Sequence, residues 1–237
     1  MHIYFVRHGE TMLNRKKAYY GALDTPLTEL GKRQAETVGR QLEGIAWNEV
    51  YISNKIRTLE TARAIVREQP AIKLTEVKAL AELDFGQWEG LDNESVRREF
   101  PEDYAKWCDD WLNVAPSGGE RFMDFFDRVK AAFEAIVSPG EAAHPEPGGA
   151  EHPESEEGEH LKPSDAAQPK QWEAENPDKN ILICAHNGTL RVIFAVMCGL
   201  GPEGTWHFNF EQDAWSQADF EYGNFTIRKI NTTEETH

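Results

Sequence analysis

Cysteine is scarce in this chain. Cys108, Cys184 and Cys198 are its only three, an odd number without Cys-x-x-Cys spacing, which excludes a disulfide framework and a paired-cysteine metal site. They read as reduced, mostly buried thiols of a cytoplasmic protein. Basic residues are also short: 25 Lys and Arg face 41 Asp and Glu, for a net charge of -16. That imbalance argues against nucleic acid or an anionic membrane as a partner. No apolar run approaches the roughly 20 residues that span a bilayer, and no signal-like stretch precedes the first predicted strand. Apolar residues make up 40% of the 237, enough for one good core, so a single domain over residues 1–237 is expected.

What is present is an alternation of strands and helices. Ile3-Tyr4-Phe5-Val6 is too short for a helix and rich in β-branched and aromatic residues, so it reads as a buried strand, stopping at Arg7-His8-Gly9. Pro26-Leu27-Thr28 opens a helix whose apolar face is read as Leu30, Ala35, Val38, Leu42 and Ile45. A second strand is expected over residues 47–52, ending at Ser53, and a helix from Arg57 with Leu59, Ala62, Ile65 and Val66 as core candidates. A third strand, residues 72–77, leads to Glu82, and two short helices between 94 and 113 make a cap over about 91–117. Phe122, Phe125, Phe126, Val129, Phe133, Ile136 and Val137 fall on one face of a further helix. Residues 181–185 form a near-continuous apolar run suited to a central parallel strand, ending at His186-Asn187-Gly188, and a helix follows over 189–198. Residues 215–220 and 224–230 read as a hairpin. The pattern predicts a three-layer α/β/α sandwich, a mostly parallel sheet with helices on both faces, plus a small helical cap.

Residues 138–178 break the pattern: they hold seven of the 12 prolines and eleven acids against two lysines. With only Leu161 and Trp172 large and apolar, the segment cannot bury enough to offset its ordering entropy, and it reads as an inserted, mobile surface loop. His144, His152 and His160 recur in it every eight residues, a spacing read as a short duplication in preference to a metal-binding tract.

Two of the predicted strands end in His followed closely by Gly. Side by side in a parallel sheet they bring His8 and His186 to one edge, with Ser53 and Arg57 from the next strand and Glu82 from the one beyond. Two histidines, Arg7, Arg57 and one carboxylate make a positive pocket in an acidic protein, fit for a dianionic phosphate.

These residues carry a resemblance. Arg7-His8-Gly9-Glu10-Thr11 with Asn14, Asp24-Thr25-Pro26-Leu27-Thr28-Glu29-Leu30-Gly31, Ser53 to Ala62, Phe85-Gly86-Gln87-Trp88-Glu89-Gly90 and Ala185-His186-Asn187-Gly188 resemble the histidine phosphatase, or phosphoglycerate mutase-like, superfamily. The resemblance implies that His8 takes the phosphoryl group, that Arg7, Arg57 and His186 bind it, and that Glu82 is proton donor and then base. Asn14 would add a phosphate hydrogen bond; no metal and no cofactor is called for. Asn187 departs from the commoner Gly. Within the superfamily, Asp103-Tyr104-Ala105-Lys106-Trp107-Cys108-Asp109-Asp110-Trp111, Trp206-His207-Phe208 with Gln212, Trp215 and Ser216, and Tyr20-Gly21 before Asp24 are similar to the bacterial α-ribazole phosphatases. That similarity implies a small phosphate monoester of α-ribazole or adenosylcobalamin as substrate, with Tyr20, Gly21, Trp107 and Trp111 binding it and Tyr104, Trp206 and Trp215 completing an aromatic cap.

Plainer readings stand beside these. Any one of the tryptophans reads as packing, Glu89 as structural, His207 as a supporting or core histidine, and Glu10 as orienting a loop. Rival functions are a broad-specificity phosphatase, a phosphoglycerate mutase, which the form of residues 85–90 speaks against, and a non-catalytic phosphate-binding regulator, which five filled catalytic positions speak against.

Overall fold

The computed structural model describes residues 1–138 and 178–236. In chain order they form β1 (His2–Arg7), α1 (Met12–Arg15), α2 (Glu29–Gln41), β2 (Glu49–Ile52), α3 (Ile56–Ile65), β3 (Leu74–Glu76), α4 (Asn93–Glu99), α5 (Pro101–Asp109), α6 (Phe122–Val137), β4 (Asn180–Ala185), α7 (Asn187–Met197), β5 (Trp215–Glu221) and β6 (Asn224–Thr232). Almost all of the acidic insertion, with His144, His152 and His160, lies outside the described residues.

The strand order is β3-β2-β4-β1-β5-β6. The first four strands of that order run parallel, and β5 and β6 add antiparallel. Strand pleating sends alternate residues to opposite faces, and the two cores follow that alternation. Ile3, Phe5, Ile181, Ile183 and Ala185 face α6 and α7; Tyr4, Val6, Leu182 and Cys184 face α2 and α3. Being covered on both sides, β1 and β4 are apolar at nearly every position, as a central parallel strand must be. The chain is thus the predicted three-layer α/β sandwich. Among the described residues no helix is long and apolar enough to cross a membrane.

Three expectations need correction. The inward stripe of α2 is Gly31, Ala35, Val38 and Leu42, while Leu30 is 43% exposed; the helix docks through a residue without a side chain, against the backbone of Glu10. Of the cysteines only Cys184 is buried, because Cys108 sits on the outer side of α5 and Cys198 caps the end of α7. His207 is exposed, at the close of a 3-10 turn.

Of the two short helices, α5 leans on Trp88, which is fully buried. Its indole packs 5.6 Å from the Trp107 ring and 5.8 Å from that of Tyr104, and its Nε1 donates to Asp103 at 3.0 Å.

Candidate active site

Parallel β1 and β4 run in register from His2 opposite Asn180 to Arg7 opposite Ala185, so the residues after them, His8 and His186, leave the same sheet edge together. Their ring centroids are 5.1 Å apart. His8 is 3% exposed. Its Nδ1 lies 2.8 Å from the Gly9 carbonyl, which can only accept, so Nδ1 carries the proton and the lone pair is on Nε2.

His186 belongs to a directed chain of hydrogen bonds. Arg57 Nε donates to His186 Nδ1 at 3.2 Å, leaving the proton of neutral His186 on Nε2, which donates to Ser53 Oγ at 2.8 Å. Ser53 in turn meets Thr58 Oγ1 at 3.0 Å, and Thr58 donates to the Lys55 carbonyl at 2.8 Å. Burial, then the Arg57 charge, hold both imidazoles well below the ordinary histidine range.

Arg57, in the first turn of α3, is fully buried. It donates to the carbonyls of Leu23 (2.9 Å) and Gly21 (3.3 Å) and lies 4.8 Å over the Tyr20 ring. Arg7 donates to the Phe210 carbonyl at 2.7 Å, and its buried Nε has no hydrogen-bond partner among the described residues. Opposite the cations, the half-buried Glu82 accepts from Gly188 N at 2.8 Å and Leu83 N at 3.1 Å. A Cβ at Gly188 would overlap that carboxylate.

These groups line one cavity of about 280 Å3. Larger grooves of about 730 and 770 Å3 lie elsewhere on the surface and neither holds a histidine. Asn14, Tyr20, Trp107 and Trp111 share the cavity wall. Asn14 caps α1 with Thr11 and accepts from Gln212 Nε2 at 2.9 Å; the Tyr20 hydroxyl accepts from Thr11 at 2.9 Å. Gly21 is behind the wall: its carbonyl serves Arg57 and its N–H goes to Glu89, and a Cβ there would overlap the Leu83 carbonyl. Trp206 stands at the mouth, 5.4 Å from Trp111.

Two of the expected cap aromatics are elsewhere. Trp215 is in the second core against Tyr4, its Nε1 donating to the Glu234 carbonyl, because its position on β5 points it to the α2–α3 face. Tyr104 packs on the outside of Trp88. Asn187, the departure from Gly, directs its polar atoms to the neighbouring loop, accepting from Phe210 N at 3.0 Å and donating to Asn209 at 3.2 Å.

Arg191 was missed. It lies one helical turn beyond Asn187 on α7 and enters the same cavity. It donates to Asn209 at 3.1 Å, and its guanidinium is 5.4 Å from the Trp206 ring centroid. The i, i+4 spacing from Asn187 was the available signal. Phe122 and Phe125, read as core, also reach the cavity, because the first turn of α6 abuts it.

The family model described as "Histidine phosphatase superfamily (branch 1)" matches residues 3–145 and 142–233. An adenosylcobalamin/α-ribazole phosphatase of Escherichia coli is 29% identical over 232 residues, 98% of this chain and 96% of that protein. One from Salmonella typhimurium is 30% identical over 234 residues, with the same coverage of 98% and 96%. Among solved structures, the α-ribazole phosphatase of Shigella flexneri superposes with a TM-score of 0.80 at 26% identity, covering 100% of this chain and 99% of that one.

Proposed function

The chain belongs to the histidine phosphatase superfamily and is a phosphoric monoester hydrolase, and from that premise we propose that it removes the 5′-phosphate of α-ribazole phosphate or adenosylcobalamin phosphate through a phosphohistidine on His8. The observation that carries the reading is the tautomer of His8: with Nδ1 tied to the Gly9 carbonyl, Nε2 offers its lone pair to the cavity it shares with Arg7, Arg57, His186 and Glu82.

In the first half-reaction Nε2 attacks phosphorus, an N–P bond forms and the bond to the ester oxygen breaks. Phosphoryl transfer asks mainly for position and charge compensation. Arg7 and Arg57 supply planar donors to the equatorial oxygens, each charge-assisted hydrogen bond contributing about 1.5–3 kcal/mol. An arriving dianion also supplies the counter-charge that burial denies His186, so that phosphate and a solvent proton enter together and the charged ring, held between Arg57 and Ser53, adds to the positive field around the phosphate. Glu82 protonates the leaving oxygen, then withdraws a proton from the water that cleaves the phosphohistidine. Asn14 adds a hydrogen bond to the phosphate, and Tyr20 and Gly21 hold Arg57 in place.

Arg7, Arg57 and the histidines accept any phosphate monoester, so selection falls to Trp107, Trp111 and Trp206. A flat heteroaromatic base gains roughly 0.5–1.5 kcal/mol from each good ring contact beyond burial. The names of the relatives support the same substrates. Two or three such contacts favour α-ribazole phosphate over 3-phosphoglycerate by about 10–1000-fold in kcat/KM. The test is kcat/KM for both compounds in the parent and in Trp107→Ala. The variant should lose rate on α-ribazole phosphate alone; equal parent values, or an equal loss on both, would leave a broad-specificity phosphatase.

A further inference from the structure

A proton donor is effective only if the backbone carrying it is fixed, and Glu82 stands on a segment that belongs to no strand. Residues 79–82 run from inside a 3-10 turn at Lys78–Leu80 to just beyond it, and every carbonyl from Ala79 to Glu82 is held from another element. Arg128, on α6, donates through Nη1 to Ala79 (2.8 Å) and Ala81 (2.9 Å) and through Nη2 to Glu82 (3.1 Å). Thr189 Oγ1, on α7, lies 3.2 Å from the Leu80 carbonyl and 3.3 Å from that of Ala81.

Arg128 is itself immobilised. Its Nε and Nη2 meet the two oxygens of Glu120 at 2.6 and 2.8 Å, and its guanidinium lies 4.9 Å over the Phe125 ring. These contacts use all five guanidinium donors. Glu120 N also donates to the Asp84 carbonyl at 2.9 Å, securing the far side of the same loop. No part of Arg128 lines the cavity. A lysine keeps the charge but cannot span three carbonyls and a carboxylate at once.

Resting on the reading of Glu82 as the acid, we infer that Arg128, assisted by Thr189, is a positioning residue that sets the Glu82 carboxylate against the departing oxygen. The arrangement has two ends. The guanidinium fixes the Glu82 main chain, and Gly188 N–H fixes its carboxylate. A shift of the backbone moves the acid away from the phosphate that Arg7 and Arg57 continue to hold, so loss of Arg128 should look like loss of proton donation and not like loss of binding.

Leaving groups separate the two. Transfer to His8 from an alkyl phosphate expels an alkoxide that needs the Glu82 proton, whereas para-nitrophenolate departs without one. Because kcat/KM stops at the first irreversible step, it reports this transfer and not the later action of Glu82 as base. The experiment measures kcat/KM for ethyl, phenyl and para-nitrophenyl phosphate in the parent, Glu82→Gln, Arg128→Lys and Thr189→Val, with inorganic-phosphate affinity and near-ultraviolet circular dichroism as controls of the fold. Arg128→Lys and Thr189→Val should each lose about 10–100-fold on ethyl phosphate, a part of the 10²–10⁴ a general acid supplies, and less than about threefold on para-nitrophenyl phosphate. Glu82→Gln should show the same slope, steeper. A steep Glu82→Gln with uniform or absent losses in the other two overturns the positioning role alone. A flat Glu82→Gln removes the acid assignment and the inference with it. Should Arg128→Lys not fold, Thr189→Val decides, being nearly isosteric.

Discussion

His8 and His186 are 3% and 1% exposed and flanked by two guanidinium groups. Burial first, and then Arg57, keep both neutral to a lower pH than a free imidazole. The consequence for stability has a definite sign. In the unfolded chain both take protons below about pH 6.5, while the native state takes them only at lower pH. The folded state therefore keeps its full stability above about 6.5 and loses it as pH falls toward the depressed native values. Each histidine contributes a slope of up to about 1.4 kcal/mol per pH unit in that interval. Urea unfolding at pH 7.0 and 6.0 should show the decline, and His8→Asn should reduce its slope by about half a proton's worth, since an unfolded histidine is about half protonated across that interval. Equal slopes in the two proteins would mean that His8 is charged in the native state. Saturating inorganic phosphate should flatten the parent's curve, because a bound dianion favours the protonated rings.

The loop over residues 20–24 and the turn after Gly86–Trp88 are joined by one carboxylate. Glu89 accepts from the N–H groups of Gly21 (2.7 Å), Ala22 (2.9 Å), Phe85 (3.0 Å) and Leu23 (3.0 Å), while Arg57 takes the carbonyls of Gly21 and Leu23 from the other side. Glu89→Ala leaves four donors without a partner, each charge-assisted bond being worth about 1.5–3 kcal/mol. We expect a lower Tm and phosphate affinity weakened about tenfold as Arg57 loses its frame, checked by calorimetric titration; unchanged affinity would separate this loop from the site. The elements themselves were readable to different degrees. β1 and β4 announce themselves because strands covered on both faces are apolar throughout and then stop abruptly at Arg7-His8 and His186. On α2, Ala35, Val38 and Leu42 lie inward as their spacing indicates, and only Leu30 was misplaced, because Gly31, the docking point, adds nothing to a hydrophobic pattern. The burial of Trp215 could not be read from composition: an aromatic residue on a hairpin strand serves either face, and only the pairing of β5 with β1 chooses. Arg191 went unseen because its role depends on which side of α7 meets the cavity.

At the scale of the molecule, a cation-rich cavity sits inside a chain of net charge -16, and the acidic insertion enters between α6 and β4, outside the described residues. Replacing residues 140–176 with a short Gly/Ser linker spares both elements, and loop-closure entropy varies slowly with length. We expect kcat within a few-fold of the parent and a Tm changed by only a few degrees; a folded but inactive protein would tie the segment to the chemistry. The place of β4 in the sheet reaches further, into synthesis. β4 separates β1 from β2, which are not hydrogen-bonded neighbours. A growing chain that has emerged through α6 already holds His8, Arg57 and Glu82, but lacks both His186 and the strand that joins the two halves of the sheet. Contacts this distant in sequence form late. Phosphate should therefore stabilise by mass action only a chain whose last quarter has arrived, so that the substrate's own anion distinguishes a finished molecule, which it should protect from protease, from a fragment ending after α6, which it should not.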